Sequence, residues 1–137
     1  MTLLLGKDRR VGKWVASRLG TTFFPPFTAI GLVDEGEGLC GGVVFHDWNG
    51  ANIEITVVLE RQIKRSEIRG LRHYVFEQLG ARRATFRTLA SNRLAILFLS
   101  RHAKFEAVLE DWFPEGSAWQ FAVLRDDPRW MRWRVEI

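Results

Sequence analysis

The sequence predicts one α/β domain, of the α+β kind, with a mixed and mostly antiparallel sheet flanked by helices. Its 137 residues are the length of one domain, and a hydrophobic content of 47% is enough for a core. Segments in which apolar residues alternate outnumber segments with helical spacing. One alternating segment runs directly into a helical one, which predicts a crossover between parallel strands. We therefore expect residues 1–137 to form a single domain, with 126–137 as a C-terminal tail.

The stretch from Asn52 to Leu79 organises the predicted fold. Residues 52–60 alternate between apolar and polar side chains, which is typical of a half-buried strand. From Ser66 to Leu79 the apolar residues follow helical spacing, with Ser66 as the expected cap and Gly80 as the expected left-handed stop. The loop between them is basic. A helix start beside cations can bind an anion, although an ordinary turn with solvated side chains explains the same pattern.

The segments before this stretch predict a helix and a hairpin. Asp8 to Leu19 is amphipathic, with Asp8 as the expected cap and Gly20 as the stop. Two adjacent prolines make Phe23–Phe27 a loop, whose phenylalanines are either core plugs, which we favour, or the wall of a pocket. Turn-forming residues separate the remaining segments, which should therefore form antiparallel strands with the central one. These strands are Thr28–Val33 and Leu39–His46, and Asn49-Gly50 supplies the second turn.

The segments after this stretch predict a further strand, a helix and a closing hairpin. Arg82 to Leu89 alternates, and the preceding helix makes a parallel pairing with the central strand the expected one. Ser91 and Asn92 can cap a helix from Arg93 to about His102. Two more strands, Phe105–Phe113 and Ala118–Leu124, flank a turn. The tail alternates Arg with Trp, a pattern that favours packing on the sheet or on a dimer partner.

The composition indicates which classes of partner the protein can bind. The net charge of +4 and pI of about 9.8 favour phosphate-bearing ligands, but motifs typical of nucleic-acid binding are missing, which disfavours that partner. The longest apolar run, Ala95–Leu99, is too short to span a bilayer, so we expect no membrane contact and a cytoplasmic location. A single cysteine, Cys40, excludes an internal disulfide. The three histidines are scattered without metal-ligand spacing, and no metal is expected.

Six short segments in order resemble the GNAT superfamily of acyl-CoA-dependent N-acyltransferases, over roughly Thr28 to Arg125. Tyr74–Gly80 is similar to the end of the family's central helix, and Ala81–Thr85 is similar to the strand that follows it. Ser91–Ala95 is similar to the family's N-x-x-A helix start. The family's closing hairpin is matched by Phe105–Leu109, Phe113–Gly116 and Val123–Arg125. The N-terminal helical region is shorter than usual, as in compact divergent members of bacterial and phage type.

The resemblance implies acetyl-CoA as acyl donor, an amine as acceptor and direct attack in a ternary complex. In the family, the two central strands splay, and the pantetheine arm pairs with the open strand like an added strand. Here that strand would offer Val57, Val58 and Leu59. The pyrophosphate would lie on the helix start at Lys64, Arg65 and Ser66, and Asn92 would contact the arm, unless Asn92 is only a helix cap.

The resemblance also implies a general base, for which Glu54 is the candidate, with a solvated or salt-bridged strand glutamate as the alternative. Two departures matter. Residues 61–66 lack the glycines of the family's pyrophosphate loop, and the only tyrosine, Tyr74, is on the wrong helix to protonate a thiolate. A catalytically degenerate binding module is therefore an alternative function, and a basic nucleic-acid-binding domain a weaker one. The acceptor pocket should involve Phe23–Phe27 and Trp48, while its ligand and a homodimer are left open.

Overall fold

The computed structural model describes residues 2–36 and 38–133. The strands are β1 (Leu3–Leu4), β2 (Phe27–Val33), β3 (Leu39–His46), β4 (Asn52–Leu59), β5 (Arg83–Leu89), β6 (Lys104–Phe113) and β7 (Gly116–Leu124). The helices are α1 (Asp8–Leu19), α2 (Arg65–Arg72), α3 (Arg93–His102) and α4 (Pro128–Met131), and a π-helical segment, His73–Gln78, continues α2.

The seven strands form one mixed sheet in the order β1-β2-β3-β4-β5-β7-β6. Only the β4–β5 pair is parallel among the strand pairs of the described chain, and the others are antiparallel. The predicted fold class is therefore confirmed, as is the order of helices and strands from α1 to β7. The sequence did not predict β1, α4 or the π-helical segment.

Helices pack on both faces of the sheet. The second half of β4 is apolar on both sides, so it contributes to the core on each face. Ile53, Ile55, Val57 and Leu59 face a core formed with α2, the π-helical segment and α3. Val58 faces the other way, into a smaller core with α1. On this second face, the first half of β4 carries the polar side chains of Asn52, Glu54 and Thr56, and the α1 core contacts only its second half.

Two predicted helix caps are wrong. Asp8 is the first residue of α1, and its carboxylate accepts a hydrogen bond from the Ala29 amide at 2.9 Å, so it ties the helix to β2. Ser66 lies inside α2, and the residue before this helix is Lys64. The predicted stops are confirmed, because Gly20 and Gly80 both have positive φ, +70° and +73°, a conformation that costs glycine little.

The tail packs on the sheet as far as the structure describes it. Trp130 is fully buried, with ring centroids 6.2 Å from Phe76, 5.8 Å from Phe86 and 6.3 Å from Phe98. Trp133 is also buried, so neither indole is available to stack on bases. The end of the predicted tail, 134–137, lies outside the described residues. No described helix has the length and apolar character needed to cross a membrane.

Candidate functional site

The two central strands diverge at one end, as the sequence resemblance implied. β4 pairs with β5 from Asn52–Arg83 to Thr56–Arg87, and the pairing stops there. Beyond that point β5 continues to pair with β7 up to Leu89, while β4 continues beside β3 up to Leu59. The last three residues of β4 therefore face a gap in the sheet.

Side chains from β5 and the start of α3 fill this gap. The Asn92 amide donates to the Leu59 carbonyl at 2.7 Å and accepts from the Leu59 N–H at 2.9 Å. The Thr88 hydroxyl donates to the Val57 carbonyl at 2.7 Å. The expectation that the backbone of Val57–Leu59 is unpaired is thus corrected. Asn92 is also not a plain helix cap, since its side chain makes no capping bond.

The gap is closed by bonds that a ligand can replace. An Asn side chain offers one amide donor and one amide acceptor, the same pair that a peptide-like ligand offers to an open strand. Exchanging one for the other keeps the Leu59 groups satisfied, as buried backbone groups must be. No strand has to separate for this exchange, because β4 and β5 are already apart at Leu59.

An internal ion pair shapes the corner where α2 begins. Glu67 is 1% exposed and accepts from both terminal nitrogens of Arg61, at 2.8 and 2.7 Å. It also accepts from the Thr2 hydroxyl at 2.6 Å and the Lys64 N–H at 2.8 Å. Burial raises the pKa of Glu67, but these hydrogen bonds and the Arg61 charge outweigh it, so the pKa lies below its ordinary value.

The same corner leaves positive charge on its outer side. Arg61 neutralises Glu67, while the side chains of Lys64, Arg65 and Ser66 are exposed. A cavity of about 460 Å³ lies here, lined by Thr2, Leu3, Lys64, Ser66 and Glu67. The first turn of a helix has amides without intrahelical partners, and the helix dipole favours an anion beside them. The corner therefore has the chemistry of a phosphate site without a glycine-rich loop.

A row of polar side chains crosses the uncovered part of the sheet, on the face opposite the main core. Arg87 on β5 donates to Glu54 at 2.7 Å and to Gln120 at 3.0 Å, and Gln120 donates to Glu106 at 3.1 Å. Arg83 pairs with Glu106 at the far end of the row. Glu54 is thus salt-bridged, and only its second oxygen faces away from Arg87.

The other end of the row is a cluster of His46, Asp47 and Glu54. His46 Nδ1 lies 2.6 Å from Asp47 Oδ2 and 3.8 Å from Glu54 Oε2, and His46 Nε2 lies 2.9 Å from the Thr56 hydroxyl. The hydrogen bond from His46 and the charges of His46 and Arg87 hold the pKa of Asp47 below its ordinary value. The three ligand atoms lie within 4.8 Å of one another, so the cluster could hold a divalent cation as well as move a proton.

A groove of about 830 Å³ opens beside this cluster, between the loop before β2, the turn after β3 and the π-helical segment. His46 and Asp47 line it, together with Trp48 and Tyr74, whose hydroxyl lies 2.7 Å from that of Thr28. Phe24 is 79% exposed at the groove, so the core-plug interpretation is wrong for this ring. The loop of Phe23–Phe27 and Trp48 thus line one groove, which is where an acceptor pocket was expected.

The structure brings the sequence candidates together in two groups. Val57, Leu59 and Asn92 meet at the gap, and Lys64, Arg65 and Ser66 lie at the α2 corner. Val58 points into the α1 core and belongs to neither group through its side chain. Sequence reasoning missed Arg87, Thr88, His46 and Asp47. The predicted two-residue turn at Asn49-Gly50 would pair His46 with Ile53, whereas the observed register pairs it with Glu54.

No family model matches the sequence, and no curated protein matches it. Solved structures do match. A mutant form of the spermidine/spermine N-acetyltransferase SpeG from Vibrio cholerae is 12% identical, with a TM-score of 0.67 over 96% of this chain and 97% of that one. A chimera of the V. cholerae enzyme with hSSAT is 15% identical, with a TM-score of 0.58 over 77% and 70%. A dodecameric spermidine N-acetyltransferase from V. cholerae is 19% identical, with a TM-score of 0.55 over 72% and 65%.

Proposed function

We propose that this chain, which has the GNAT-superfamily acyltransferase fold, is an acyl-CoA-dependent N-acetyltransferase that uses acetyl-CoA. The observation that carries the proposal is the gap at the end of β4, where Leu59 is bonded to an exchangeable side chain instead of a strand. At 12–19% identity the likeness to the spermidine enzymes concerns the fold alone. The acceptor must therefore be argued from this chain's own residues.

The residues at the gap and at the α2 corner fit an acyl-CoA substrate. Leu59 would pair with the amide groups of the pantetheine arm once Asn92 turns away from it, and Asn92 would then bond to the arm. Lys64, Arg65 and the first amides of α2 would hold the diphosphate. The bound substrate would supply a thioester, whose acyl carbon is open to attack by an uncharged amine.

An ammonium group must lose a proton before it can attack, and the polar row offers the acceptor. We propose that Glu54 takes this proton on Oε2, the oxygen that faces His46, while Arg87 fixes Oε1. His46 is held between Asp47 and Thr56, and Glu54 releases the proton to water after the product leaves. The amine nitrogen forms a bond to the acyl carbon, and the carbon–sulfur bond breaks to release the CoA thiol. With a pKa of about 8.5, that thiol is a tolerable leaving group without a tyrosine acid.

Two measurements test the proposal in turn. In a thermal shift, CoA at about 100 times its dissociation constant adds roughly 2.7 kcal/mol to the free energy of unfolding. Thiol release in the presence of amines then separates an enzyme from a binding protein. Glu54→Gln should lower kcat by about 100-fold or more with unchanged CoA affinity. Glu106→Gln, the same change at the far end of the polar row, is the control. Equal turnover in Glu54→Gln would remove Glu54 from the mechanism.

The second candidate function is a GNAT-like binding module without catalysis. The closed gap favours it, because Asn92 and Thr88 themselves satisfy the Leu59 backbone and the Val57 carbonyl. This module would show a CoA thermal shift and no thiol release with any amine. Absence of a shift at millimolar CoA would contradict both candidates.

A further inference from the structure

The groove beside His46 and Asp47 has walls of one chemical kind. Its volume of about 830 Å³ is within the range of sites for small organic molecules. Its walls are aromatic and prolyl side chains, among them Phe23, Phe24, Pro25, Pro26, Trp48 and Tyr74. Phe24 and Trp48 are 79% and 45% exposed, and large rings exposed together mark a surface that a ligand covers. The walls therefore suit the apolar, ring-bearing part of a small molecule.

The walls of the groove carry few charged side chains. Among the described residues that line it, Asp47 is the one carboxylate and none is Lys or Arg, while His46 lies 2.6 Å from the Asp47 carboxylate. Asp47 lies near the proton acceptor Glu54, because its carboxylate is bonded to His46 and His46 is 3.8 Å from Glu54. An ammonium group at Asp47 would therefore be held near the group that can deprotonate it. Glu54 adds little further attraction, since Arg87 already neutralises it.

We infer that the acceptor is a primary amine with one positive charge and an apolar, ring-bearing body, bound in this groove with its ammonium group at Asp47. The inference rests on the proposed acetyltransferase function for its reaction, while binding in the groove can be measured without turnover. A polyamine would need several spaced carboxylates, and the groove offers one. An amino acid would bring a carboxylate with no cation in the groove wall to receive it.

An acceptor panel tests the inference through thiol release from acetyl-CoA. The panel consists of 2-phenylethylamine, n-butylamine, spermidine and phenylalanine. We expect kcat/KM for 2-phenylethylamine to exceed that for n-butylamine by about 10- to 100-fold, the value of burying one aromatic ring. Spermidine and phenylalanine should be poorer still. If spermidine or phenylalanine reacts as well as 2-phenylethylamine, the assigned acceptor class is overturned while the acetyltransferase function stands.

A pair of aspartate variants tests the position of the ammonium group. Asp47→Asn should raise KM for 2-phenylethylamine about 3- to 5-fold, as expected for an exposed carboxylate, and leave KM for acetyl-CoA unchanged. Asp111→Asn is the matched control, because Asp47 and Asp111 are both exposed and both have positive φ, 52° and 51°. Asn tolerates this conformation, so both variants should fold. Equal KM for the amine in Asp47→Asn and the wild type would overturn the inference.

A binding measurement separates failure of the inference from failure of the proposed function. Titration of 2-phenylethylamine should change the Trp fluorescence of the wild type in a saturable way and that of Trp48→Phe much less. Saturable binding that weakens about 3- to 5-fold in Asp47→Asn, with no thiol release from any amine, supports the groove assignment and refutes the enzymatic function. If 2-phenylethylamine does not bind at millimolar concentration, the inference is refuted even where other amines are acetylated.

Discussion

The Arg61–Glu67 pair determines the shape of the α2 corner, and Glu67→Gln tests that role. Glu67 accepts four hydrogen bonds within the described chain, from Arg61 twice, Thr2 and Lys64. A glutamine of the same size keeps one oxygen acceptor and turns an NH₂ group towards Arg61 or Thr2. The variant therefore leaves the Arg61 charge partly buried without its counter-ion.

The expected loss can be worked from the burial of the two partners. Breaking a buried pair by changing one partner costs 3–5 kcal/mol. Because 22% of the Arg61 side chain is exposed and can reach water, we expect the low end, about 3 kcal/mol. For a chain of this length that corresponds to a fall in Tm of about 10 °C. Circular dichroism during thermal and urea unfolding measures both quantities.

Glu60→Gln is the matched control, since Glu60 pairs with Arg18 at 3.1 Å with both side chains largely exposed. An exposed pair contributes less than about 1 kcal/mol. The pKa of Glu67 is lowered by folding, so its stabilisation is present above the unfolded pKa of about 4.3 and is lost as pH falls through the folded pKa. The difference between wild type and Glu67→Gln should shrink in acid. A loss no larger than that of Glu60→Gln at pH 7 would refute the reasoning.

Two further substitutions test the gap and the tail. Thr88→Val removes the fully buried hydroxyl that donates to the Val57 carbonyl. It should lower the free energy of unfolding in urea by about 1–3 kcal/mol. A loss no larger than that of the exposed Thr22→Val would show that this bond does not stabilise the fold. Trp130→Ala leaves a cavity among three aromatic rings and should lower the free energy of unfolding by about 3–5 kcal/mol. The control Trp112→Ala changes an exposed ring and should lower it by less than about 1 kcal/mol. Similar losses in the two variants would contradict the packing role of Trp130.

The strands and their order could be predicted because each carries its own local signal. The alternation in β4 predicts which side chains face the main core, although Thr56 and Val58 on its other side are buried as well. The helix after β4 favours a parallel pairing with β5. The gap was expected from the resemblance to the GNAT superfamily and not from these local signals. It did not predict the Asn92–Leu59 bond, since 33 residues separate the two in sequence and nothing local distinguishes a capping Asn from one that bonds a distant strand.

The candidate site was predicted less completely because its residues pair across strands. His46 pairs with Glu54, one residue beyond the Ile53 partner that a two-residue turn at Asn49-Gly50 predicts, and a shift of one residue reverses the faces. Arg87 beside Glu54 depends on the parallel register of β4 and β5, which a crossover helix sets and no short turn encodes. The ion pair of Glu67 with Arg61 at the α2 corner, and its hydrogen bond from Thr2, likewise form only in the folded chain.

A crystal soaked in millimolar CoA tests the central claim most directly. The account predicts a pantetheine arm bonded to the Leu59 N–H and C=O, the Asn92 side chain turned onto the arm, and the diphosphate at Lys64, Arg65 and Ser66. Saturating CoA that leaves Asn92 on Leu59 and no diphosphate at the start of α2 would contradict it.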